Sequence, residues 1–96
     1  MIPAPVLPLI RRAILDLLND IGGEQNDDYL VLLLSELGHR VARRDIVTEL
    51  RWLADEKLID LEELGAMVVA RILADGRDIA EGRLVVEGVW RHKTGD

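Results

Sequence analysis

The stretch Tyr29–Leu73 reads YLVLLLSELGHRVARRDIVTELRWLADEKLIDLEELGAMVVARIL, and its hydrophobic period changes partway along. Up to Leu53 the apolar residues recur at intervals of three and four. Leu30, Leu33, Leu34 and Leu37 form one stripe, and Ile46, Leu50 and Leu53 form another. That spacing puts each set on one face of a helix. From Ile59 the period drops to two. Ile59 and Leu61 alternate with Asp60 and Glu62, as in a half-buried strand. Met67 to Leu73 is rich in Val and Ile and reads as the return strand, with Leu64-Gly65-Ala66 as the turn. The expectation is a helix to Leu37, a stop at Gly38, a helix over about Arg43 to Lys57, and a hairpin.

Working outward, Asn26 or Asp27 suits the cap of the helix that contains Tyr29, and Asp28 suits its positive end. Val31 and Leu32 lie off its stripe, so this helix is apolar nearly all round and should be covered on more than one side. Gly22 to Asn26 reads as a polar loop. Ile10, Ile14, Leu17, Leu18 and Ile21 recur at helical spacing and mark an earlier helix, ended by Gly22-Gly23. Pro3, Pro5 and Pro8 suggest an extended N-terminal arm over residues 1–7. Pro8 also suits a first helical turn. Downstream, Gly76 and Gly82 bracket a short helix, Arg77 to Glu81. Residues 83–96 show no period and read as a tail, with Arg91 to Asp96 mobile. The expected fold class is mainly α with a small β-hairpin (α+β), in one domain over residues 1–96.

The 96 residues include 49% apolar side chains, no Phe and no Cys. The core must be aliphatic, with Tyr29, Trp52 and Trp90 the only aromatics. Absence of Cys removes disulfides, thiolate metal sites and cysteine nucleophiles together. The longest apolar run, Leu30 to Leu34, is far shorter than a membrane span. The opening Met1-Ile2-Pro3-Ala4-Pro5 lacks the basic flank and apolar core of a signal peptide. A cytoplasmic protein with no membrane association is expected. Net charge is −6, unevenly spread. Residues 1–38 and 58–82 each carry −4, whereas 39–57 and 83–96 each carry +1. An acidic body repels phosphate, so any nucleic-acid binding must be local and salt-sensitive.

A helix pair joined by a Gly-containing turn fits helix-turn-helix, and the hairpin directly after it makes the motif winged. Leu37-Gly38-His39-Arg40-Val41, then Ile46, Thr48, Leu50, Trp52-Leu53 and Leu58-Ile59, resembles the core of winged-helix proteins of the ArsR, MarR and PadR kind. Ile72-Leu73-Ala74-Asp75-Gly76-Arg77-Asp78-Ile79-Ala80 resembles the stretch by which those proteins leave the wing and enter the last helix. Over about residues 8–90 the chain is most similar to small winged-helix proteins of Mu-like transposable phages. The resemblance implies a DNA-binding transcriptional regulator, and the host cytoplasm as its location if phage-encoded. Two positions depart from the pattern. Ala42 stands where a Ser or Thr cap is usual, and Leu73 stands where the wing exit often carries Thr. Each removes local capping of ~1 kcal/mol.

In a helix-turn-helix the second helix of the pair enters the major groove of double-stranded DNA. With Ile46, Leu50 and Leu53 inward, Arg43, Arg44, Val47, Thr48 and Arg51 point outward, and Arg40 sits near the backbone. Arg can donate two hydrogen bonds to guanine, and Thr can meet a thymine methyl or a phosphate. The competing reading is a solvated or protein-contacting face, where Asp45, Glu49 and Asp55 pair with the arginines to little effect. The hairpin tip has no Arg or Lys and follows Glu62-Glu63; Arg71 and Arg77 compensate only if they face the duplex. This favours an alternative function, a module that binds a host or phage protein. Val6, Leu7, Leu9, Leu15, Val31, Leu32 and Trp90 supply the candidate surface of a homodimer, unless they enlarge the core. Trp52 is expected to pack against the wing or the last helix.

No nucleophile and base can be assembled around Ser35, the single serine. His39 and His92 are far apart and have no Cys to complete a metal site. His39 reads as a turn or phosphate-proximal residue. Asp27-Asp28 and Glu62-Glu63 read as capping and surface pairs. The chain is therefore expected to be no enzyme, with no metal and no cofactor.

Overall fold

The computed structural model describes residues 1–93. A short 3₁₀ turn, Ala4–Val6, leads into α1 (Leu7–Asp20). Then come β1 (Glu24–Asn26), α2 (Asp27–Glu36), α3 (Arg43–Asp55), β2 (Ile59–Leu64), β3 (Met67–Ile72) and α4 (Ala74–Ala80). Among the described residues the fold is α+β, with four α-helices and one three-stranded antiparallel sheet.

α1 is the central helix. It contacts α2, α3, α4 and β3, and Ile10, Ala13, Ile14, Leu15 and Leu18 are fully buried along it. Leu30 and Leu34 of α2 join this core, as do Ile46, Leu50 and Leu53 of α3, Leu58 and Ile59, and Ile79 of α4. Each such side chain contributes roughly 1.5–3 kcal/mol through burial. The α3 stripe faces inward whole, whereas in the α2 stripe Leu30 and Leu34 are buried, Leu33 is half-buried and Leu37 is exposed. Asn26 is the N-cap of α2, and its Oδ1 accepts a hydrogen bond from the Tyr29 N–H at 2.8 Å.

α2 ends at Gly38, which is left-handed at φ 91. The His39 N–H donates to the Leu34 carbonyl and the Gly38 N–H to that of Ser35, the paired closure of a Schellman stop. The hairpin turns through Gly65-Ala66 with Leu64 opposite Met67. Gly65 at φ 62 occupies the first place of the two-residue turn, where a type II′ turn wants Gly.

Several boundaries differ from the sequence reading. The arm over residues 1–7 is not wholly extended, because the 3₁₀ turn winds up before α1. The expected loop Gly22 to Asn26 contains β1, which pairs with β3 in the register Glu24↔Arg71 and Asn26↔Val69. Glu24-Gln25-Asn26 has no apolar alternation, so only the neighbouring strand makes it one. Strand order is β1-β3-β2. α3 stops at Asp55 and α4 starts at Ala74, with Gly76 inside the helix. A Cβ at Gly76 would run into the Leu58 carbonyl, so this Gly serves close packing rather than a helix boundary. Leu32 is 63% exposed, so α2 is not covered on that side.

Among the described residues the tail has no regular element after α4, yet it is strapped to α1. Val89 is buried, and Leu84 and Val86 pack on the core. The Arg11 Nη1 donates to the Gly88 carbonyl (3.0 Å). Arg12 donates to the carbonyls of Trp90 and Ala80, both at 3.2 Å. Lys93 Nζ lies 3.1 Å from Asp20 Oδ2. The rest of the segment expected to be mobile, residues 94–96, lies outside the described residues. No helix among the described residues is long and apolar enough to cross a membrane.

Candidate nucleic-acid interface

The inward stripe of α3 leaves the other side of that helix outside. Arg44, Thr48 and Arg51 fall at intervals of four and three, so they lie along one exposed line. The β2–β3 hairpin stands beside it. Between them runs a groove of about 430 Å³, with Arg44, Thr48 and Arg51 on the helix side and Glu63 and Ala66 on the hairpin side. Arg40 is exposed in the turn before α3.

The arginines differ in what holds them. Among the described residues, the side chains of Arg40 and Arg44 make no ion pair or hydrogen bond. The Thr48 hydroxyl donates back to the Arg44 carbonyl at 3.0 Å. Arg51 Nη2 lies 3.6 Å from Glu63 Oε1, with both side chains well exposed. Such a pair is worth little in water. Arg43 is tied inward instead. Its Nη2 lies 2.5 Å from Oδ2 of Asp27, whose side chain is fully buried, and its Nε lies 3.4 Å from Asp28 Oδ1. The same Nη2 donates to the Ala66 carbonyl at the hairpin turn.

Two members of the expected outward set differ from the rest: Arg43 is exposed but engaged, and Val47 is not outward. Arg43 spends its charge within the molecule, because its helix position faces the first turn of α2. Val47 is only 9% exposed; it forms the floor of the groove because the hairpin closes over that part of α3. Nor do Arg71 and Arg77 help the hairpin. On β3, Val68, Ala70 and Ile72 point inward, so Arg71 points to the other face. There it pairs with Glu24 and with Glu62 (2.6 Å) and lies 3.9 Å from Asp60. Its pKa is raised, chiefly by the hydrogen bond to Glu62 and then by Glu24. Arg77 donates to Asn19 Oδ1 (2.8 Å). The hairpin tip is left apolar, with Leu64 and Met67 exposed.

The residues marked for self-association divide as well. Leu15 is fully buried, because α1 is packed on several sides, and it cannot meet a second copy. Val6, Leu7, Leu9 and Val31 are half-buried. Leu32 and Trp90 stay exposed.

Sequence reasoning missed three charged residues that organise the structure. Asp27 read as a cap and is the buried partner of Arg43. Arg11 is held by Glu49 at 2.8 Å and lies 3.8 Å over the Trp52 ring, which Gly88 of the tail approaches from the strap. Trp52 thus packs against α1 and the tail. Arg12 pairs with Asp16 at 2.8 Å, both almost fully buried. An Arg and an Asp four apart on a helix signal that last pair; nothing local signals the others. His39 sits in the α2–α3 turn, as read. Among the described residues no three His, Asp or Glu side chains gather as a metal site.

These features define a small α+β protein in which a helix pair and a hairpin frame a basic-edged groove on an acidic body. Comparison adds kinship. The chain is 37% identical over 81 residues to the uncharacterized protein gp26 of Escherichia phage Mu, covering 84% of each chain. It belongs to the family of that phage protein. No family model matches the chain, and no solved structure does.

Proposed function

We propose that the protein is a winged helix-turn-helix DNA-binding protein that regulates phage transcription in the host cytoplasm as a homodimer. α2 and α3 form the helix pair, α3 is the recognition helix, and the β2–β3 hairpin is the wing. The observation that carries this reading is the line Arg44, Thr48 and Arg51, exposed along α3 beside the groove, with Arg40 in the turn ahead of it. Arg44 and Arg51 supply guanidinium forks for guanine or phosphate, and Thr48 supplies a hydroxyl and a methyl. A two-fold dimer would present two such helices to a two-fold site, with Leu32 and Trp90 as the exposed apolar contacts.

The test is fluorescence anisotropy with fragments of a Mu-like phage genome at low salt. Selective binding is expected, weakened by Arg44→Ala and by Arg51→Ala. No measurable affinity for any duplex would end this reading.

A second reading is favoured by one observation. The wing tip is apolar, with Leu64 and Met67 exposed next to Glu62 and Glu63, a poor surface for phosphate. On this reading the module binds a phage or host protein through the tip. Leu64→Ser would then abolish protein binding and leave any DNA affinity unchanged.

A further inference from the structure

The arginine at the start of α3 looks, from its place in the chain, like a further groove-reading side chain. Its contacts say otherwise. Arg43 stands where three parts of the molecule converge. Asp27 is in the first turn of α2, Arg43 is the first residue of α3, and Ala66 is in the turn of the hairpin. The guanidinium Nη2 forms an ion pair with Asp27 Oδ2 at 2.5 Å and donates to the Ala66 carbonyl, while Nε faces Asp28 Oδ1 at 3.4 Å. Asp27 is wholly out of water. A carboxylate there needs a cation, and Arg43 Nη2 is the one beside its Oδ2. The Asp27 Oδ1 is engaged by the Asp28 N–H at 3.0 Å. The outer part of Arg43 remains half exposed, so the group is a bridge at the rim rather than a core residue.

We infer that Arg43 is a positioning residue that fastens the β2–β3 hairpin to the helix pair, and so sets the width of the groove that Arg44, Thr48 and Arg51 line. One nitrogen, Nη2, meets both the buried carboxylate and the backbone carbonyl, while Nε of the same group turns to Asp28. The hairpin tip is otherwise lightly held. Its Leu64, Gly65, Ala66 and Met67 are all exposed, and Gly65 meets no atom of the rest of the chain where a Cβ would stand. The clamp stands on these contacts. Its effect on a duplex rests on the DNA-binding reading above.

The experiment has two arms on the full chain. In the first, ¹⁵N relaxation of the free protein follows Gly65 and Ala66 in wild type, Arg43→Ala, Asp27→Asn and Arg44→Ala. Backbone order at the turn is expected to drop from rigid to below about 0.6 in Arg43→Ala and Asp27→Asn. It should stay at the wild-type level in Arg44→Ala, and amides of Ile14 and Leu18 should keep their order throughout. In the second arm, duplex affinity is followed against salt. Arg43→Ala should weaken binding several-fold with an unchanged log–log slope, whereas Arg44→Ala should reduce that slope by about one. An ordered turn in both Arg43→Ala and Asp27→Asn would overturn the clamp. So would loss of a full slope unit in Arg43→Ala, which would mark a phosphate contact. If the wild type binds no duplex, the DNA reading fails, and the relaxation arm decides the clamp by itself.

Discussion

Arg12 shows how much one side chain can join. It reaches Asp16 on its own helix, the Ala80 carbonyl at the end of α4 and the Trp90 carbonyl in the tail. Buried ion pairs do little for net stability compared with apolar packing, but breaking one is costly. Arg12→Ala is expected to destabilise the protein by about 3–5 kcal/mol and to loosen residues 88–90, as urea unfolding and hydrogen exchange will measure. Glu81 gives a smaller, pH-dependent case. Its carboxyl is held below the usual glutamate range, first by its hydrogen bond from Arg83. A carboxyl lowered in the folded state adds stability above its unfolded pKa and loses it as pH falls through the folded value. NMR titration should find Glu81 titrating low in wild type and returning to the ordinary range in Arg83→Ala.

At the scale of elements, the four helices end alike. The N–H groups of Gly23, His39, Leu58 and Arg83 bond the carbonyls of Leu18, Leu34, Leu53 and Asp78. The residue just before each donor is left-handed. It is Gly in three helices, but Lys57 at φ 63 ends α3. A non-Gly residue in that region costs roughly 1–2 kcal/mol. Lys57→Gly is therefore expected to stabilise the protein by about 1 kcal/mol, read as a raised urea midpoint. The helix starts are less uniform. Asn26 caps α2, while Ala42 and Leu73 cap α3 and α4 with no side-chain bond. These are the two positions at which the chain departs from the winged-helix pattern. Ala42 already has an extended backbone (φ −65, ψ 145), as an N-cap should. Ala42→Ser should add about 1 kcal/mol, and a melting curve without an upward shift would refute that.

For the whole molecule, the accessible surface of 5581 Å² is close to the roughly 5,500 Å² that size scaling gives a folded monomer of this mass. One chain thus closes its own core, and the proposed homodimer joins folded protomers. Sedimentation should find a concentration-dependent dimer, with Leu32→Glu shifting it to monomer at unchanged Tm. A wild type that stays monomeric at high concentration would remove the dimer from the proposal. Charge gives the second test at this scale. With Arg43 engaged internally, three outward cations remain on and just before α3 of each protomer: Arg40, Arg44 and Arg51. At about −0.9 per neutralised phosphate, the salt slope of duplex binding should be near −3 per protomer. A slope near zero would point to the protein-binding alternative.

What could be read from the chain alone follows the range of the interaction involved. The inward faces of α1 and α3, most of that of α2, a cap of α2 at Asn26 or Asp27, the stop at Gly38 and the turn at Gly65 depend on residues a few positions apart, so local order was sufficient to place them. The strand Glu24–Asn26, the burial of Leu15 and Val47, and the sorting of the arginines into free and engaged are set by groups from distant parts of the chain. Arg43 and Arg44 are adjacent and chemically identical, yet one meets Asp27 and a carbonyl of the hairpin while the other faces solvent. That difference arises only when α2, α3 and the hairpin come together, because an ion pair is decided by where its partner lies in space.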